Sequence, residues 1–428
     1  MNVNTKPAGP VPVWATNVTM TDIAPFGGNP TKIKPAPGII AEGYHVNEQP
    51  SSQRLNWKEN DQDRRLAVVD MIEARSFVEP GDGGGICNPG TGGAVGDFCA
   101  VPWTVFPQIL RASASYIVSA SVDGGYTWTT DLNAGAGACT GIAARDDGSN
   151  QGCVAVALTN GATPQIYMRG AVGAWISTAL NVAPSGSGAT TCITADAFDG
   201  NGMWIGGSTT ATPTPTIWKV VDNHGIFSSQ TQLTCSPSGA IGAGCVVRLI
   251  AAGPTYKIGA MYVGATNYLW RWQDGDATAV AVTPPTADEI RDLLWCPEDK
   301  VFLLIASSVG HVVTFWQSPD GSTGSWAQIA PDSTGAAFLN ADAYVRGACV
   351  RGSILMVPIS YNSGAANIVM VSGSLGATWK QVADPLRRHQ SQAPVPVTTV
   401  CRNLGEQFMA AGYVAASKSA HALTLRAG

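Results

Sequence analysis

Cysteine and histidine are the side chains best suited to nucleophilic or metal chemistry, and this chain holds ten of the first and five of the second. The histidines, His45, His224, His311, His389 and His421, are scattered. None forms an H-x-x-x-H pair or joins a cysteine at metal-ligand spacing, so neither a metal site nor a cofactor is expected. There is no G-x-x-x-x-G-K-[ST] loop. The Gly-rich stretch 81–96 follows no clear strand and opens no helix, which suits a flexible insertion better than a phosphate cradle. Asp146-Asp147 and Glu298-Asp299-Lys300 stand in turn-like contexts and read as solvated loops. No catalytic residue is assigned.

Seven cysteines obey a different rule. Cys87, Cys139, Cys192, Cys245, Cys296, Cys349 and Cys401 are 52, 53, 53, 51, 53 and 52 residues apart. A fixed interval of this size marks a repeat architecture, in which each unit stacks on the next. The cysteines then act as small buried hydrophobes. In a long chain without an N-terminal charged and apolar leader, reduced thiols are expected. Cys87 and Cys99, beside the Gly-rich stretch, are the one pair to consider for a bridge.

The elements that carry this ruler are short strands. Charged residues are 13% of the chain, about half the usual share, and 49 Gly and 27 Pro favour turns over helices. After most ruler cysteines come a strand, a Gly-containing turn, another strand and a Trp. Trp326 lies 30 residues after Cys296, and Trp379 lies 30 after Cys349. In the first unit Trp128 lies 41 after Cys87 but 29 after Cys99, so either cysteine could be the equivalent one. The expected fold is all-β, a seven-bladed β-propeller of four-stranded antiparallel blades over 79–428. The apolar window Val301–Trp316 is broken by Ser307, Ser308, Gly310 and His311, which gives two strands and a turn and no membrane span. A net charge of −5 without a basic run argues against nucleic acid binding by a basic patch.

The turn before the Trp carries a second pattern. Ser121, Asp123, Gly125, Thr127 and Trp128 fill S-x-D-x-G-x-T-W. Ser372, Ser374, Gly376, Thr378 and Trp379 fill it with Ser in the Asp place, and Ser318, Asp320 and Trp326 fill it with one residue inserted. Val221 to Gly225 and Gln273 to Asp276 look like decayed copies. This pattern resembles the Asp-box (BNR repeat) of sialidase-like β-propellers. The resemblance implies a structural turn joining the third and fourth strands of a blade, with each ruler cysteine on or near the first strand. An Asp there accepts backbone N–H groups, Gly supplies positive φ and Trp buries a large ring. The sialidase-like family also implies an arginine triad, a Tyr–Glu pair, an Asp acid/base and an F/Y-R-I-P motif. Here the nearest string, Phe106 to Arg111, lacks the Arg at its place. Arg145, Arg248, Arg351 and Arg402 each follow a ruler cysteine by one to six residues and could line a central channel.

The last unit is short. Strands are expected at 397–402, 407–414 and 421–426, after which the chain stops at Gly428. The fourth strand must come from elsewhere, and 66–78 is the nearest apolar candidate. Such pairing closes the ring and removes two exposed sheet edges.

Residues 1–57 are rich in Pro, Gly, Asn and Thr and form an extended arm. The stretch 43–57, GYHVNEQPSSQRLNW, resembles a G…P-x-x-x-x-L-N-W module found near the N-termini of bacteriophage tail and fibre proteins, with Pro50, Leu55, Asn56 and Trp57 in its places. A short helix is expected over 58–75, which competes with the closing strand for the segment 58–78. The resemblance implies a structural component of a bacteriophage virion, assembled in the bacterial host cytoplasm and placed in the tail. Its arm would dock to other virion proteins, and its propeller would form a rigid platform in a homo-oligomer. Two alternatives stand: a propeller for host attachment that binds a surface glycan, and a sialidase-like glycoside hydrolase.

Overall fold

The computed structural model describes Phe77–Val78, Val95–Val101 and, with short gaps, residues 108–426. The gaps include 123–127, 146–151, 237–245, 362–366 and 383–399. The arm 1–57 with Pro50, Leu55, Asn56 and Trp57, the helix expected over 58–75, Cys87, Cys245, Asp123, Gly125 and Thr127 all lie outside the described residues.

Those residues build an all-β, propeller-like fold from antiparallel meanders, each named here by its span. The 95–133 meander is Val95–Val101, Gln108–Ser113, Ile117–Ser121 and Thr129–Asn133. The 138–179 meander is Ala138–Arg145, Cys153–Asn160, Thr163–Arg169 and Ile176–Ala179. The 188–236 meander is Gly188–Ala195, Gly202–Thr209, Pro215–Asn223 and Ile226–Ser236. The 249–282 meander is Leu249–Ala252, Tyr256–Val263, Thr266–Gln273 and Thr278–Val282. The 290–329 meander is Ile290–Cys296, Val301–Ala306, Thr314–Ser318 and Ala327–Ile329.

Two departures from plain four-stranded sheets stand out. Thr234–Ser236 pairs in parallel with Thr278–Val280, which fuses the 188–236 and 249–282 meanders into one eight-stranded sheet. The sheet spanning 343–382 has five strands, because its inner edge is broken into Ala343–Val345 and Cys349–Arg351. Both pieces pair with Ile354–Tyr361, and Asn367–Ser372 and Lys380–Val382 complete the order. At the C-terminal end, Val400–Asn403, Gln407–Val414 and Ser419–Arg426 form a meander whose outer neighbour is Phe77–Val78. Phe77 stands opposite Leu425 and Val78 opposite Thr424.

Among the described residues, burial falls off at the outermost strands. Gly202–Thr209, the second strand of its meander, is buried at every residue, whereas the outermost Ile176–Ala179 is exposed at three of four. The apolar clusters lie between neighbouring meanders. One unites Ile205 and Trp218 with Ala155 and Met168. Another unites Phe315 and Leu303 with Leu355 and Met370. Each fully buried large apolar side chain in such a seam contributes about 1.5–3 kcal/mol. The innermost strands also adjoin one another in a closed cycle, from Val95–Val101 through each meander in turn and from Val400–Asn403 back to the first.

One element was not legible from composition. Ser333–Phe338 is helical, in the connection between the 290–329 and 343–382 meanders. Asp332 caps it by accepting the Gly335 N–H at 2.7 Å.

Candidate functional site

The innermost strands surround an axial cavity of about 460 Å³. Its wall is mostly small and apolar, with Ala143, Ala195, Ala251, Ala252 and Ala348 among the lining residues. Arg248 and Asp292 are the only charged ones among the described residues. Asp292 Oδ1 accepts the Leu293 N–H at 2.8 Å, and Oδ2 accepts the Ala348 N–H of the next meander at 2.6 Å. Asp97 does the same between the 95–133 and 138–179 meanders, accepting the Ile142 N–H at 3.1 Å. These carboxylates tie innermost strands together, which explains two acidic residues in an apolar ring.

One mouth of the cavity is aromatic. Phe198, 45% exposed, packs edge-on against Trp295, with ring centroids 6.1 Å apart, and Trp295 packs on Phe302 at 4.8 Å. The Phe198 turn is pinned by Asp196, which is 1% exposed. Its Oδ1 accepts the N–H groups of Phe198 and Asp199 at 3.0 and 3.2 Å. Its Oδ2 accepts the Trp204 indole N–H at 2.9 Å and lies 3.2 Å from the Lys257 ammonium.

Two of the turns expected to join third and fourth strands fall among the described residues. After Thr314–Ser318, the Ser318 hydroxyl accepts the N–H groups of Asp320 and Gly321, and Asp320 Oδ1 accepts the Ser322 N–H at 3.1 Å. Burial pushes the Asp320 carboxyl up, but the Ser322 and Ser325 bonds and the Arg271 charge outweigh it and hold it below the usual range. After Asn367–Ser372, the Ser372 hydroxyl accepts the N–H groups of Ser374 and Gly376, and Ser374 Oγ accepts the Thr378 N–H at 2.8 Å. Serine thus fills the acceptor role that Asp holds in the turn pattern. Gly376 has φ 115°, a conformation open to Gly. The Trp rings are less uniform than expected. Trp379 is 3% exposed and donates to the Gly376 carbonyl at 2.6 Å, whereas Trp326 and Trp128 are only half-buried. Trp379 has the capping helix to cover it: Asp332 accepts its N–H at 3.2 Å. Ser121 is buried at the end of its strand, and the Arg111 guanidinium lies 5.9 Å from the Trp128 ring centre.

Cys99, Cys139, Cys192, Cys296, Cys349 and Cys401 all fall on innermost strands. They do not share a rung. Asp97, Gly141, Cys192 and Asp292 each follow the bulge in their strand. Cys99 comes two residues later than that point, Cys296 four later and Cys139 two earlier. The constant interval therefore reflects a constant meander length, and a small apolar thiol suits any inward rung. Burial pushes the thiols of Cys139 and Cys296 up to about 12, which disfavours the thiolate that nucleophilic chemistry requires. The two described arginines do not converge either. Arg145 gives Nε and Nη2 to Asp222 at 2.9 and 2.6 Å in a buried pair. Arg248 lines the cavity, and the side chains of Arg351 and Arg402 lie outside the described ones.

Sequence reasoning missed a charge network between meanders. Lys257 is fully buried and ion-paired with both Asp196 and Asp274. Asp274 also pairs with Lys219 at 2.7 Å, and Lys219 reaches Asp199 as well. Burial lowers the Lys219 ammonium, but Asp199 and Asp274 outweigh it and hold it above its ordinary value. Burial raises the Asp274 carboxyl, but Lys219 and Lys257 outweigh it and hold it below. Arg169 to Asp131, at 3.2 Å, and Arg271 to Asp320, at 3.2 Å, bridge two further seams. A lone Lys at an inward position of the apolar strand Tyr256–Val263 was the available clue.

No protein-family model and no curated protein matches the chain. Among solved structures, it is similar to YCF48 from Cyanidioschyzon merolae, with TM-score 0.52, 14% identity and coverage of 78% of this chain and 96% of that one. YCF48 bound to D1 peptide aligns with TM-score 0.50 at 14% identity, over 79% of this chain and 91% of that one. The GH74 enzyme of Niastella koreensis aligns with TM-score 0.51 at 14% identity, over 78% of this chain and 52% of that one. At this identity the likeness shows the fold alone, that of a β-propeller, whose members serve varied functions.

Proposed function

We propose that the chain is a non-enzymatic, seven-bladed propeller that serves as a rigid platform in a bacteriophage virion, in the tail. The blade count takes the eight-stranded sheet as two blades and the broken-edged sheet as one. The closed cycle of innermost strands and the pairing of Phe77–Val78 with Ser419–Arg426 support that count. The turns after the third strands support the Asp-box likeness through their hydroxyl and carboxylate acceptors.

The observation that carries the platform reading is the use made of paired charge. Arg145–Asp222, Lys257–Asp196, Arg169–Asp131 and Arg271–Asp320 each join different meanders. The first two pairs are buried, where breaking one is costly, and the last two are partly exposed. The cavity wall offers Arg248 and Asp292 as charged groups, and Asp292 has both oxygens on backbone N–H groups. The tail assignment rests on the G…P…LNW stretch of 43–57, whose Pro50, Leu55, Asn56 and Trp57 would dock to neighbouring virion subunits of a homo-oligomeric part.

The test removes residues 1–57 and follows both folding and incorporation into particles. The expected result is a folded propeller that no longer enters the virion. Full incorporation of the truncated chain overturns the reading. Saturable binding of a host surface glycan would favour the attachment reading, and release of a sugar lost in Arg248→Ala would favour a sialidase-like hydrolase.

A further inference from the structure

Each meander ends near where the next begins, as in the short step from Asn133 to Ala138. Three reversals per meander then leave all the innermost strands running the same way. Arg248, which immediately precedes Leu249–Ala252, therefore stands at one end of the axial cavity. Phe198, which follows Gly188–Ala195, and Trp295, near the end of Ile290–Cys296, stand at the other. Between them the wall is mostly alanine, cysteine and aliphatic side chains, with Thr194 among them. The cavity volume, about 460 Å³, falls in the range of small-molecule sites. Arg248 is exposed and has no ion-pair partner among the described residues. Among the described residues, the one carboxylate near that end, Asp292, has both oxygens turned to backbone N–H groups. An apolar tube with a cation at one end and aromatic rings at the other suits a ligand that is itself long, apolar and anionic at one tip.

We propose that the axial cavity is a binding site for a single-chain anionic amphiphile, an alkyl carboxylate, with its head at Arg248 and its chain running towards Phe198 and Trp295. The inference does not depend on the virion reading, since it rests on the cavity wall alone. The small side chain at Ala195 leaves the lumen open, and the fixed Asp196 turn holds Phe198 in place as its far lip.

The test titrates the full chain with octanoate, decanoate and dodecanoate below their micellar concentrations, by calorimetry. Affinity is expected to rise about fourfold per methylene, and dodecanoate is expected to bind about fivefold tighter than dodecanol. Arg248→Ala, at an exposed position, should abolish the preference for carboxylate while keeping the chain-length dependence. Ala195→Trp should abolish binding while the circular dichroism spectrum is unchanged. No saturable binding of dodecanoate, affinity independent of chain length, or a carboxylate preference that survives Arg248→Ala each overturns the proposal. If Ala195→Trp does not fold, the Arg248→Ala comparison and the chain-length series decide.

Discussion

The 188–282 and 290–382 regions use the same meander and join it in opposite ways. In the first, the two meanders share one eight-stranded sheet, and their seam holds Lys257, Asp196, Asp274, Lys219 and Asp199 in one ionic network. In the second, the sheets stay separate, and the seam is mostly apolar, with Phe315 against Trp379 at 5.1 Å between centroids and the Asp292 carboxylate turned to the Ala348 N–H. The repeat sets where a seam must lie. It leaves open whether dispersion or charge closes it, because either can fill the gap if no polar group is left unpaired.

The comparison can be broken first at the apolar seam. Trp379→Ala removes a buried ring and its bond to the Gly376 carbonyl, and we expect a loss of about 3–5 kcal/mol in urea unfolding. A loss below about 1 kcal/mol would mean that the seam collapses around the gap. At the ionic seam, Lys257→Met leaves Asp196 buried without its cation, and we expect a loss of about 3 kcal/mol. Adding Asp196→Asn should restore part of that loss, because the orphaned charge goes with it while the amide NH2 meets an N–H donor that the carboxylate had accepted. If the double variant is no better than the single, packing by the lysine stem holds the seam. Asp320→Ala, in a partly exposed turn, should cost about 1 kcal/mol, read as a shift in the unfolding midpoint.

Acid is expected to have the smallest effect and to tell the seams apart. Asp274 is held below its ordinary value of 3.8, so its stabilisation is present above that value and is lost as pH falls through the lower folded-state value. Lys219 is held above 10.5, so its contribution is present below 10.5 and is lost as pH rises past the folded-state value. The stability difference between the native chain and Asp274→Asn should stay level from about pH 5 to 8 and shrink below about pH 4. The difference for Trp379→Ala should not change over the same range. A parallel fall in both would show that acid weakens the whole ring and not the ionic seam.

Much of the architecture was legible. The strands expected at 407–414 and 421–426 lie at Gln407–Val414 and Ser419–Arg426, since alternation and length already define a short half-buried strand. The turns before Trp326 and Trp379 were legible through Ser and Gly, whose roles are local. Three features were not. The helix Ser333–Phe338 is only six residues long and is held by Trp379, forty residues away in the chain and more. The parallel pairing of Thr234–Ser236 with Thr278–Val280 depends on how two outer strands approach in space. The aromatic mouth joins Phe198 and Trp295, whose separation in sequence carries no pattern.

The chain by itself determined a repeat of about 52 residues, strands with turns between them, and small thiols on the innermost strands. Each of these is local or periodic, and local propensity and period are written directly in residue order. Only the tertiary structure decided which rung each cysteine occupies, which seam is ionic and which apolar, and which side chains face the axis. Those outcomes depend on contacts between residues dozens of positions apart, where packing and the pairing of buried charge select among alternatives that the sequence pattern leaves equal.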